Sequence, residues 1–99
     1  MSTKESLVIL GSRIRETRKA CGMSQEGLAL QAEIDRSFMG QVERGQRNVS
    51  FVTLCKIASV LKTDLGTLCN GLPVGIDLEP SHRNLFEPLT HQRPEASAN

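Results

Sequence analysis

The sequence predicts an all-α protein: a compact five-helix domain over residues 1–70, followed by a Pro-containing C-terminal extension over 71–99. Three observations lead there. With 99 residues the chain is below the usual length of one domain, so it has a single core and no room for a separate catalytic domain. Hydrophobic residues make up 38% of it, but only three Phe and no Trp or Tyr are present, so the core is packed from Leu, Ile, Val, Ala and Met. Aliphatic residues recur at intervals of three and four until about residue 70, where the four prolines begin.

The first helix opens with Ser2 and Glu5 at capping-box spacing and continues with Leu7, Leu10, Ile14 and Cys21 at helical intervals. It stops at Gly22, which can take the left-handed conformation, after Arg18 and Lys19 in the last turn. Ser24 caps a short second helix of about nine residues, with Leu28, Ala29 and Ala32 on its apolar face. Gly27 weakens that start: it stands where a Glu would complete the capping box, and glycine inside a helix costs up to about 1 kcal/mol. Asp35 caps the third helix, Arg36 to Arg44, in which only Met39 and Val42 fall on one apolar line before Gly45 ends it. Most of that helix faces outward.

Gln46, Arg47 and Asn48 form a polar loop. Ser50 then caps the most regular core helix, which carries Phe51, Leu54, Ile57, Ala58 and Leu61. Asp64 caps a last short helix with Leu65 and Leu68 inward, and Gly71 and Pro73 close the compact part. In the extension, Val74, Ile76 and Leu78 alternate like a short strand, Leu85, Phe86 and Leu89 can dock, and residues 96–99 fray.

Charge and cysteine usage exclude several function classes. Residues 1–69 hold ten Lys/Arg against seven Asp/Glu, while 70–99 hold two against four, so a basic body carries an acidic tail. Cys21, Cys55 and Cys69 are odd in number and match neither a disulfide framework nor a zinc spacing, and His82 and His91 lie in the tail. No metal, no cofactor and no enzyme is expected, since no His is placed to activate a cysteine. An exposed Cys21 or Cys69 leaves redox sensing open. Without a membrane-length apolar run or a signal-peptide pattern, the expected location is the cytoplasm.

Two short helices joined by a tight connection, the second with its polar face outward, describe a helix-turn-helix whose second helix can enter the major groove. Leu28, Ala29, Ala32, Ile34, Met39 and Val42 occupy its interior positions, with Ala29 small where the helices cross. The segment Ile14 to Leu68 resembles the bacterial and phage Xre-type repressors with a Cro/cI-like helix-turn-helix. The resemblance is carried by Met23-Ser24-Gln25-Glu26-Gly27-Leu28-Ala29 and by Ile34-Asp35-Arg36-Ser37-Phe38-Met39-Gly40-Gln41-Val42-Glu43-Arg44-Gly45-Gln46-Arg47-Asn48-Val49-Ser50. The second run is especially similar to the controller proteins of restriction-modification systems.

The resemblance implies a lambda-repressor-like fold and a transcriptional regulator that binds double-stranded DNA as a homodimer on a two-fold symmetric operator. It implies base-edge contacts from Arg36, Ser37 and Gln41, and the chemistry agrees: Arg can donate twice to guanine, Gln can pair with adenine, Ser suits either. Phe38 meets a thymine methyl or covers the helix pair. Gly40 leaves a bare patch for close backbone approach. Ser24, Gln25, Arg44, Arg47 and Asn48 are the implied phosphate contacts. The resemblance also implies an ion pair between Arg18 and Glu43 that ties the first helix to the third. Val60, Leu65 and Leu68 are dimer-interface residues or ordinary core.

Two departures stand out. Glu33 occupies the turn position where the family usually has Gly, which carries strain on the order of 1 kcal/mol if φ there is positive. The chain also runs about thirty residues past the fifth helix. An alternative reading is therefore an interaction protein, such as an antitoxin, whose residues 71–99 bind a partner protein.

Overall fold

The computed structural model describes residues 3–74, so the Ser2 cap, the strand expected over Val74, Ile76 and Leu78, and the docking of Leu85, Phe86 and Leu89 lie outside the described residues or extend beyond them. Within them are five helices and no strand: α1 (Thr3–Ala20), α2 (Gln25–Ala32), α3 (Arg36–Glu43), α4 (Phe51–Leu61) and α5 (Leu65–Cys69).

Each interior helix start is held by the side chain that the sequence nominates. Ser24 Oγ accepts from the Gly27 amide at 2.9 Å, Asp35 from Phe38 at 3.1 Å, Ser50 from Thr53 at 3.1 Å and Asp64 from Thr67 at 2.6 Å. Such caps contribute typically about 1 kcal/mol each, because they satisfy amides that have no partner inside the helix.

Four helices end alike, with a left-handed residue followed by an amide that reaches back five positions. The returning bonds are Met23 to Arg18 (3.1 Å), Ile34 to Ala29 (2.8 Å), Gln46 to Gln41 (2.9 Å) and Thr63 to Ala58 (3.0 Å). Gly22 and Gly45 supply the left-handed residue after α1 and α3, but after α2 and α4 it is Glu33 (φ 57°) and Lys62 (φ 59°). The strain foreseen at Glu33 is therefore present, and Lys62 adds a second site that the sequence reading passed over.

Ile14, Leu28, Met39, Ile57 and Leu68 lie at the centre of the core, with Leu10, Ala29, Val42, Leu54, Ala58 and Leu61 around them. α1 packs mainly on α3, α2 bridges α3 and α4, and α5 closes against α1 and α4. The α1–α3 approach is close enough that a Cβ at Gly11 would collide with the carbonyl oxygens of Val42 and Glu43. This pins the base of α3 to the first helix and turns its other side to solvent.

Three expectations are corrected. Phe51 has the right spacing for the core but is 70% exposed. A helical side chain leans toward the helix N-terminus, so at the first position of α4 it projects past the helix start rather than over the core. Cys21 falls after the end of α1 and is exposed. Gly40 is buried rather than bare.

Candidate nucleic-acid interface

The outward side of α3 is set by what its inner side must do. Met39 and Val42 enter the core, which leaves Arg36 and Ser37 exposed on the first turn and Gln41 half-buried one turn on. Phe38 is half-buried and packs against the core, so covering the helix pair is part of its role. Arg36, Ser37, Gly40 and Gln41 line an open cleft of about 420 Å³ together with Gln25 and Arg44.

Gly40 adds no side chain to that cleft. A Cβ there would come within 3.3 Å of both Arg44 Nη1 and Gln25 Oε1, so the missing side chain lets these two residues lie across α3. It is their coverage that buries the glycine.

Beneath the cleft sits a buried ionic cluster. Arg18 Nε donates to Glu43 Oε2 at 2.7 Å and Nη2 to Oε1 at 3.0 Å, a two-pronged pairing with 8% and 7% of the residues exposed. Gln25 Nε2 donates to the same Oε1 at 3.0 Å, and Arg18 Nη1 to the Met23 carbonyl at 3.0 Å. Hydrogen bonding to Glu43 raises the Arg18 pKa above its already high ordinary value, against the opposing effect of burial. One carboxylate thereby joins α1, α2 and α3. Gln25, an implied phosphate contact, is oriented from below by this cluster.

The flanking groups differ in how they are held. Ser24 and Asn48 are exposed, and Arg44 Nε donates to Gln46 Oε1 at 3.1 Å. Arg47 is not extended into solvent: its Nε donates to Gln41 Oε1 at 2.8 Å, and its guanidinium carbon lies 5.7 Å from the Phe38 ring centroid. A second cleft of about 410 Å³ continues the basic surface along α1, lined by Arg15, Arg18, Lys19, Gln25, Glu43 and Arg44. Exposed Arg15 and Lys19 were missed by the sequence reading, although their four-residue spacing puts them on one face of α1.

Of the residues nominated for a dimer interface, Leu68 is 1% exposed and fills the core, so it has no surface to offer. Val60 and Leu65 are partly buried and pack against the core with an edge outward. Spacing alone could not separate these cases. Among the described residues there is no group of side chains that could hold a metal ion, and no helix is long and apolar enough to cross a membrane.

A half-buried recognition helix, braced from one side and flanked by basic groups, defines a helix-turn-helix protein. The helix-turn-helix family profile HTH_3 matches residues 14–68, more than half of the chain, and the protein belongs to that family of transcriptional regulators. Its sequence is similar to the control protein C.MunI of a Mycoplasma species, 39% identical over 59 residues that make up 59% of this chain and 80% of that one. It is likewise similar to the control protein C.BamHI of Bacillus amyloliquefaciens, 35% identical over 60% of this chain and 74% of the relative. Among solved structures, it is similar to the restriction-modification controller protein C.AhdI of Aeromonas hydrophila, with 52% identity and a TM-score of 0.61 over 63% of this chain and 94% of that one.

Proposed function

We propose that the protein is a sequence-specific transcription regulator of the restriction-modification controller kind, acting as a dimer on a two-fold symmetric DNA operator. The observation that carries this reading is the exposed first half of α3, with Arg36 and Ser37 free to meet bases, fixed on a buried Arg18–Glu43–Gln25 cluster. A protruding helix on a rigid base can enter the major groove in one orientation. Arg36 then offers paired donors to guanine O6 and N7, and Ser37 serves either kind of base.

Phosphate contacts would come from the amides at the start of α2 beside Ser24 and Gln25, from Arg44 and Asn48, and from Arg15 and Lys19 on α1. These set register and affinity without reading sequence. One short helix reads too few bases to stand apart from bulk DNA, which is why the reading requires two copies. Val60 and Leu65 are its candidate interface residues. Bound at an operator, such a dimer blocks or recruits polymerase according to where the site lies. The reading involves no cofactor and no catalytic group, and it locates the protein with the DNA in the cytoplasm.

The test is to select bound duplexes from a random pool with the purified full chain at near-physiological salt. A two-fold symmetric site among the retained sequences supports the reading. Retention of nothing above background overturns it.

A further inference from the structure

Arg47 belongs to the loop after α3, yet its guanidinium folds back over that helix, held by Gln41 Oε1 at 2.8 Å and lying over the Phe38 ring. Arg47 is exposed. Surface interactions of this kind add little to stability, so the arrangement has no evident structural use. It does have a chemical consequence. Because Nε can only donate, the Gln41 carboxamide must turn its oxygen toward Arg47 and its NH₂ elsewhere. One of the two lone pairs of that oxygen is thereby committed to Arg47. Arg47 keeps the N–H groups of both terminal nitrogens. Those groups offer paired donors to the O6 and N7 acceptors of guanine.

We propose that Gln41 is a positioning residue: it holds Arg47 as a pre-formed reader of an acceptor-bearing base edge, and Arg47 reads a base rather than a phosphate. The gain is pre-organisation. A long side chain on a loop is ordered before DNA arrives, so less rotamer freedom is lost on binding. This inference rests on the DNA-binding reading above, and its test has one readout that needs no DNA.

In the free full chain, ¹⁵N relaxation of the Arg47 Nε–H should show an ordered group that becomes mobile in Gln41→Ala, with the melting temperature unchanged. Persistent order in Gln41→Ala, or mobility in the wild type, overturns the tether. The second readout is affinity for the selected site and its single-base variants. Arg47→Ala and Gln41→Ala should flatten preference at the same base position, by about tenfold. The double variant should be no flatter than Arg47→Ala. Gln41→Glu, which keeps an acceptor for Nε, should retain the preference at that position while binding all DNA more weakly. Additive losses at two different positions would make Gln41 an independent reader, and uniform weakening by Arg47→Ala would make Arg47 a phosphate contact; either result overturns the proposal. If the wild type selects no site, the DNA-binding reading falls and this proposal with it, whatever the relaxation data show about the tether.

Discussion

Two arginines are tied to α3, one on each side. Arg18 meets Glu43 beneath the helix, where both residues are buried, and Arg47 meets Gln41 above it, where the arginine is exposed. The bond lengths are nearly equal, 2.7 Å and 2.8 Å, so geometry does not separate them. Environment does. Removing one partner of a buried pair leaves an uncompensated charge in low dielectric, whereas an exposed hydrogen bond exchanges with water at little cost. The inner arginine belongs to the fold, and the outer one is available for recognition.

The largest expected effect breaks the inner side of this comparison. Glu43→Ala strands the Arg18 guanidinium and frees Gln25, and should lower stability by about 2 to 3 kcal/mol in chemical denaturation. That is less than for a fully enclosed pair, because 10% of the Arg18 side chain remains exposed. DNA binding should fall with it. Loss of binding at unchanged stability would mean that the cluster is not a structural brace.

Arg36→Ala tests the outer face. It should leave the melting temperature unchanged and cost about 1–3 kcal/mol at the cognate operator, confined to one base position in a competition assay. Lys19→Ala should weaken every sequence alike and reduce the slope of log affinity against log salt by about one. A base-specific effect of Lys19 would move it from the phosphate-facing margin to the reading surface.

Two smaller effects concern the scaffold between the clusters. Glu33→Gly relieves the left-handed backbone at φ 57° in the α2–α3 turn, offset by the greater freedom of glycine in the unfolded chain. The net gain should be a few tenths to about 1 kcal/mol, read as a raised melting temperature. Last is the α5 cap, where the Thr67 amide holds the Asp64 carboxyl below its ordinary value of 3.8. Since the folded pKa is the lower one, its contribution is present above that value and is lost as pH falls through the depressed one. Asp64→Asn, which caps without titrating, should flatten the acid limb of the stability profile.

Much of this architecture was legible because its signals are local. A cap needs only a Ser or Asp and the next three amides, and Ser24, Asp35, Ser50 and Asp64 met that condition. Gly22 and Gly45 marked two ends, but Glu33 and Lys62 show that packing can impose the same turn on residues that do not favour it. The candidate interface was less legible. Gly40 read as bare because one of the side chains that cover it, from Gln25 on α2, arrives through the fold, although Arg44 lies only one turn further along. Phe51 and Leu68 share core spacing, but one is exposed and the other enclosed, since period alone does not say what stands opposite a helix face.

By itself the sequence determined five helices, the caps of the last four, an apolar stripe on each and an α3 with too few apolar residues to be buried all round. Those follow from interactions within a few residues of each other. Tertiary structure alone decided that Gln41 is paired with Arg47, six positions away across a helix end, and that Gln25 joins the Arg18–Glu43 pair, which the family resemblance implied across 25 positions. The physical reason is that a hydrogen bond depends on where two side chains meet in space, and in neither pair do both residues belong to one helix.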